Sequence, residues 1–284
     1  MLSQGSCHLI LKLVTSITAT AMLIVVLVLF VLGIFGLAVG SFLNVAISRV
    51  PDARSIIRPR PACSKCTEPI AWVDMIPIIS WMMLRGQCRN CHQTISARYP
   101  LVELANAFSW VVLSWWCLGT SNEHLLTLLP LLLALSSFTI VLTLIDIEHH
   151  RLPDAIVIWM YPTAVAGLTY AGVVGGQSQV SQSLLMACVW LIAIGGVWLV
   201  TSGRGMGFGD VKLAPVLGLV LGWVGWSAGF VGLLGAWILG GCAGIALMAL
   251  GKARRGTALA FGPFLFAGFW AGLFFGESLS AWYL

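Results

Sequence analysis

Charge is what this sequence has least of. Only 9% of its 284 residues are Asp, Glu, Lys or Arg, while 59% are hydrophobic, against a charged share of roughly 25% in soluble domains. A chain so poor in charge cannot cover a water-facing surface, so a soluble globule is excluded and the bilayer becomes its main solvent. Disorder is excluded by the same numbers, and a disulfide scaffold by the presence of only eight cysteines in a chain of this length. No internal repeat and no low-complexity tract stands out. Acid is scarcer than base, 10 residues against 15, for a net charge of +5. The Lys and Arg residues sit in a few short segments rather than along a nucleic-acid-binding face. No nucleic-acid partner is therefore expected, and the basic residues report membrane topology.

No residue between Lys12 and Arg49 is charged. That stretch exceeds the roughly 7–15 apolar residues of a signal-peptide core and lacks a small-residue cleavage site, so it reads as one retained transmembrane helix at about 21–47. Residues 49–98 turn polar, with Pro51, Pro59, Pro61, two Cys-x-x-Cys pairs and most of the basic residues. Apolar runs follow at 100–118 and 125–145, joined by Gly119-Thr120-Ser121-Asn122-Glu123-His124. After a polar island at 146–154 come two more spans, divided at Gly175-Gly176-Gln177-Ser178, and a second island at 203–212. The apolar segment 213–251 is too long for one helix of about 20 residues and divides near 226–229, and 259–276 makes the last span. The fold class is all-α: a polytopic bundle of about eight transmembrane helices. An N-terminal segment and first helix occupy 1–48, a loop domain 49–99, and a seven-helix membrane core 100–284.

Alternating eight helices places the long loop and the islands at 146–154, 203–212 and 251–257 on one side of the membrane. Every Lys and Arg except Lys12 falls there. The excess of positive charge makes that side cytoplasmic.

An Asp at the centre of a membrane helix costs roughly 2.5–3.5 kcal/mol on insertion scales, so such residues usually mark function. Asp146 follows the run Ile140-Val141-Leu142-Thr143-Leu144-Ile145, and Asp210 ends Gly205-Met206-Gly207-Phe208-Gly209. The topology puts both at the cytoplasmic mouth of the bundle. Two carboxylates at one depth can share a proton, which lets one act as base and the other as acid on a water molecule. The structural alternative is a pair of solvated helix-end carboxylates, with Asp210 paired to Lys212. Asp154 is the rival for the role of Asp146, although its position after Pro153 suits a helix N-cap. Gly207 and Gly209 are expected to supply positive φ and to let an extended substrate approach Asp210, with Lys212 supporting the site. A phosphate-loop reading of Gly203 and Gly205 lacks a preceding strand and a following Gly-Lys-Ser/Thr.

Cys63-Ser64-Lys65-Cys66 and Cys88-Arg89-Asn90-Cys91 are separated by 21 residues. Two such knuckles suit tetrahedral thiolate binding of Zn²⁺, each tight turn delivering two sulfurs, and a filled ligand set points to a structural ion. Reduced free thiols or a redox pair are the alternatives, a disulfide being disfavoured in the cytoplasm. His92 reads as a bystander.

Gly207-Phe208-Gly209-Asp210, the segment Asp146-Ile147-Glu148-His149-His150-Arg151-Leu152-Pro153-Asp154, Gly40-Ser41-Phe42-Leu43-Asn44 ahead of Arg49-Val50-Pro51, and the Cys-pair loop together resemble the bacterial type IV prepilin peptidase family. The likeness covers nearly the whole chain. It includes Ile70-Ala71-Trp72-Val73-Asp74-Met75-Ile76-Pro77 and Arg98-Tyr99-Pro100-Leu101-Val102-Glu103, while Ser64 stands where the family commonly has Pro. The resemblance implies a polytopic aspartyl protease of the bacterial inner membrane that cuts the basic leader from type IV prepilins or type II secretion pseudopilins at the cytoplasmic face. Asp146 and Asp210 are its implied catalytic pair. Methylation of the new N-terminal residue from S-adenosylmethionine is also implied. No Rossmann fingerprint is present, so the methyl donor rests on the resemblance alone and its binding residues are not read. Asp74 and Glu103 are candidates to face a cationic sulfonium, with structural hydrogen bonding an equal reading. The expected partners are a prepilin or pseudopilin and the lipid bilayer. Two other classes stay open: a proton-coupled transporter using the same carboxylates, which calls for deep acids and broken helices in paired repeats, and a membrane scaffold whose zinc loop binds a partner.

Overall fold

The computed structural model describes residues 4–120, 123–176, 178–203, 206–251 and 260–283, and the side chains at 4–19, 123 and 280–283 lie outside that description. The helices run in the order α1 (Gln4–Arg49), α2 (Ile79–Met83), α3 (Arg98–Gly119), α4 (Glu123–His149), α5 (Asp154–Gly175), α6 (Val180–Val200), α7 (Phe208–Val224), α8 (Trp226–Ala249) and α9 (Gly262–Tyr283). In lipid a backbone must satisfy its own hydrogen bonds, and uncharged runs of Leu, Val, Ile, Ala and Trp do so as helices. Among the described residues, six helices, α1, α3, α4, α5, α6 and α8, are long and apolar enough to cross a bilayer. The other two of the eight expected spans fall short of that measure. α7 has 17 residues, about 25 Å of helix, and α9 carries Glu277 towards its end.

Several boundaries differ from expectation. α1 starts near residue 4 rather than 21, since nothing after Gly5 breaks a helix and one Lys is easily carried. α4 continues through Asp146 to His149, and α7 begins at Phe208 rather than 213. Both polar islands are therefore mostly helix ends rather than loops. α7 and α8 are joined by Gly225 alone. Of the segments read above, Ser121-Asn122, Gln177, Arg204-Gly205 and residues 252–259, with Lys252, Arg254 and Arg255, lie outside the described residues.

The helices pair α1 with α3, α4 with α5, α6 with α7 and α8 with α9. α7 also packs on α5, α8 and α9, and its Leu213, Ala214, Val216, Leu217, Val220 and Leu221 are fully buried. The shortest long helix is thus the axis of the bundle, and its N-terminus is held at one end by neighbours on several sides.

Glycines set the closest contacts. A Cβ on Gly36 would lie 2.7 Å from the Cα of Ala107, and one on Gly40 would lie 2.7 Å from the Cα of Glu103, so α1 and α3 touch backbone to backbone. Polar groups reinforce this seam. The Asn106 amide donates to the Gly36 carbonyl at 2.8 Å, Ser137 Oγ on α4 donates to Asn106 Oδ1 at 2.8 Å, and Trp110 Nε1 donates to Ser137 Oγ at 3.1 Å. Glu103, buried beside Gly40, accepts the backbone N–H of Ile78 at 2.8 Å, which hangs the start of α2 on a membrane helix. Substituting Gly40 by Leu should separate α1 from α3. A loss beyond the ~1–3 kcal/mol of ordinary overpacking is expected in thermal unfolding of the detergent-solubilised protein, whereas Gly119→Leu, in open space, should be near neutral.

Candidate active site

Asp146 lies in the last turn of α4 and Asp210 in the first turn of α7, at the same end of the bundle. Both are buried, 4% and 5% exposed, and close enough to act on one another electrostatically. Each receives one backbone N–H from a helix start. Gly262 N–H, opening α9, donates to Asp146 Oδ2 at 3.0 Å, and Gly207 N–H, just ahead of α7, donates to Asp210 Oδ2 at 3.2 Å. These N–H groups have no partner within their own helices, and the helix dipole there favours negative charge. The second oxygen of Asp210, Oδ1, is buried with no hydrogen-bond partner among the described residues. A buried carboxylate oxygen left unmatched is costly in a static fold and is characteristic of a site made for chemistry.

Leu152 explains how the three helix ends are held. It is buried in the α4–α5 connection, where a Cβ on Gly209 would lie 2.8 Å from its Cβ and one on Gly262 would lie 3.3 Å from its Cδ2. A Cβ on Gly262 would also sit 2.8 Å from Asp146 Oδ2. The glycines thus differ from expectation. Gly207 has φ −72°, and Gly209 is not in the positive-φ region. What Gly209 allows is close approach of Leu152. Gly262 and Leu152 were missed by sequence reasoning, and the Gly262-Pro263 helix start is the signal that could have found the first.

Lys212 is not the partner of Asp210. Its Nζ lies 2.7 Å from both oxygens of Asp154 and 4.8 Å above the ring of Phe208, and its carbonyl accepts Tyr161 OH at 2.7 Å. Asp154 is the first residue of α5 and makes no side-chain cap, so its expected N-cap role is replaced by this ion pair between α5 and α7. Arg98 pairs with Glu148 at 2.5 Å, and Arg151 donates to the Pro51 carbonyl, tying the α4–α5 corner to the exit of α1. Asp74 and Glu103, considered for a sulfonium, are both engaged within the fold: Asp74 receives both sides of Arg89, at 2.5 and 2.9 Å, and Glu103 holds Ile78.

The four loop cysteines converge. The sulfurs of Cys63, Cys66, Cys88 and Cys91 all lie within 4.8 Å of one another, with Cys63 and Cys91 3.7 Å apart, a group that could hold a metal ion. His92 is outside it. The two knuckles are built alike, a repeat not seen in the sequence. In each, the first Cys N–H donates to the carbonyl five residues on (Glu68, Gln93), and its own carbonyl accepts from a residue of positive φ (Thr67, His92). Ile70 closes the first knuckle on Pro61 as Ile95 closes the second on Gly86. Backbone N–H groups of Cys66 and Lys65 draw the Cys63 thiol down to about 6, whereas the Cys66 thiol, against the pull of the Glu68 backbone N–H, is pushed up to about 11 by burial and the surrounding sulfurs.

The profile named "Bacterial Peptidase A24 N-terminal domain" matches residues 34–117, and that of the "Type IV leader peptidase family" matches residues 133–247. A protein named prepilin leader peptidase/N-methyltransferase from Aeromonas salmonicida is 33% identical over 280 residues, 88% of this chain and 92% of its own. One of the same name from Pseudomonas putida is 34% identical over 285 residues, 87% of this chain and 91% of its own. This chain belongs to the type IV leader peptidase family. A Myxococcus xanthus relative of the same name is 38% identical over 197 residues, 67% of this chain and 55% of its own. No solved structure matches. The two family segments meet where α1 and α3 of the first pack on α4 of the second.

The Arg89 guanidinium, hydrogen-bonded to Asp74, holds that carboxyl below its ordinary range. A depressed carboxyl stabilises the fold above its unfolded pKa and loses that contribution as pH falls through the lowered value. Arg89→Ala should therefore make the loop at 50–97 more protease-sensitive at neutral pH. The difference from wild type should close only below about pH 4.

Proposed function

We propose that this protein is an aspartic endopeptidase of the bacterial inner membrane that removes the basic leader from type IV prepilins or type II secretion pseudopilins, and then N-methylates the new N-terminal residue. The observation that carries the reading is the pair Asp146 and Asp210, buried together at one end of the bundle, with Asp210 Oδ1 left unmatched among the described residues. A membrane-spanning substrate presents its apolar helix to lipid and its basic leader to the cytoplasm, so the scissile bond lies at the depth of the two acids. One aspartate, ionised, takes a proton from water as the oxygen attacks the carbonyl carbon. The other, protonated, polarises the carbonyl and then donates to the leaving amine. Gly207 and Gly262 hold one oxygen of each acid in place, leaving the others for water and substrate.

The thiolate group fits Zn²⁺. A zinc–sulfur bond of about 2.3 Å gives a tetrahedron edge of about 3.8 Å, beside the 3.7 Å between Cys63 and Cys91. Cys63, Cys66, Cys88 and Cys91 would fill all four positions with sulfur, so the ion would be structural and would fix the loop. S-adenosylmethionine, when bound, would supply an electrophilic methyl group: the freed amine nitrogen would gain the methyl as the carbon–sulfur bond breaks, with a neutral thioether as leaving group and the amine's proton passing to water. The reading of the chain as a proton-coupled transporter is not favoured, because Asp146 and Asp210 lie together at one end of the bundle rather than along a path through the spans.

Incubating the purified protein with a prepilin and following the leader by mass tests the proteolytic half. Asp146→Asn and Asp210→Asn should each lower cleavage by about 10²–10⁴-fold or more with membrane insertion intact, and full activity of either variant would remove that residue from the mechanism. One equivalent of zinc is expected by elemental analysis. Cys63→Ser should lose it and expose the loop to proteolysis, and a protein equally resistant with and without metal would refute the structural ion.

A further inference from the structure

Three of the stretches that carry the family likeness contribute little to the aspartate pair. They are Gly40–Asn44 with Arg49–Pro51, the start of α3 at Arg98-Tyr99, and the residues of α4 beyond Asp146. The fold brings all three to one hollow of about 190 Å³ where the ends of α1, α3 and α4 meet. Its floor is Asn44 and Ile47, 6% and 1% exposed, and its rim is polar, with Asp52, Arg98, Glu148 and His149 around it.

The hollow and the aspartate pair share one wall, the last turn of α4. Asp146 faces α7 and α9 through Gly262, whereas Glu148, two residues on, projects about 200° around the helix to the other side. A peptide cut at Asp146 leaves its new amine within about one helix diameter of the hollow, roughly 10 Å.

We propose that this hollow seats the methyl donor, S-adenosylmethionine. The proposal rests on the transferase half of the function above. The donor carries a sulfonium and an ammonium, which seek carboxylates, a carboxylate, which seeks a guanidinium, and a ribose diol, which seeks acceptors. The rim offers Asp52 and Glu148 for the first and last of these and Arg98 for the second. The Asn44 amide nitrogen donates to the Tyr99 carbonyl at 3.0 Å and to that of Gly40 at 3.4 Å, which uses both its protons and leaves its oxygen as an acceptor beside the hollow. The existing pairs, Arg98 with Glu148 and Arg54 with Asp52, have partly or largely exposed partners and exchange at little cost. At about 190 Å³ the hollow would take one end of the donor, with the remainder at its open rim.

The full-length protein in detergent, incubated with methyl-tritiated S-adenosylmethionine, tests this in two ways that do not read turnover. Ultraviolet cross-linking of the wild type should place label on peptides containing 44–52, 96–99 or 146–151. In equilibrium dialysis, Asp52→Asn and Glu148→Gln should each weaken binding about tenfold while keeping wild-type zinc content and thermal unfolding. Label confined to other peptides, or donor binding unchanged in both variants, overturns the proposal. A wild type that cuts prepilin but neither binds the donor nor methylates the product removes the transferase half of the function and the hollow with it, and leaves the peptidase half standing.

Discussion

Two carboxylates withdrawn from water must be matched by something, and here the match is backbone. Each acid takes an N–H from the start of a helix, Gly207 for Asp210 and Gly262 for Asp146. That requirement constrains the rest of the bundle, because three helix ends must arrive at one point: α4 finishing, α7 and α9 beginning. A side chain at Gly262 would collide with the carboxylate it serves, and one at Gly209 with Leu152. The geometry therefore depends on residues with no side chain as much as on the acids. The central placement of α7, packed by α5, α6, α8 and α9, keeps its first turn from moving independently of its neighbours.

The loop is bound to the membrane helices at several points rather than suspended above them. Glu103 holds Ile78, Arg151 reaches the Pro51 carbonyl, and Arg98 pairs with Glu148. Ile78 meets α3 at Glu103, five residues and about 7.5 Å along the helix from Arg98. The exposed Trp72, Ile79, Met82 and Met83 belong to the same stretch. Segments far apart in the chain thereby become one surface at the end of the bundle where both acids lie.

Much of this was legible in the chain. Charge-free runs marked the long helices, because a backbone in lipid has few alternatives, and the Cys spacing announced the sulfur group because a knuckle is a local structure. Buried acids were recognisable from the apolar runs around them. Features set by tertiary packing were not. The partner of Lys212 is 58 residues away at Asp154, whereas the structural alternative offered by the sequence was the near neighbour Asp210. Gly207 and Gly209 were read as positive-φ positions open to a substrate, and the actual use of Gly209 in a tight corner depends on Leu152, which only the fold brings there. Helix ends were placed short at α4 and α7 because polarity was read as loop, whereas Asp146 and Asp210 are polar residues inside helices whose burial is shared with other chain segments.

The likeness of the two knuckles bears on how the α1–α3 connection folds. Each supplies two sulfurs, half of what a four-coordinate ion requires, so neither closes a site by itself and the connection is ordered as a whole or not at all. A link from residue 63 to residue 91 through an ion would shorten the free span between α1 and α3 to residues 50–62 and 92–97, and the entropy of a long tether would fall accordingly. An ion held there would also set the spacing and direction with which α1 and α3 leave the bundle, like a buckle between two straps.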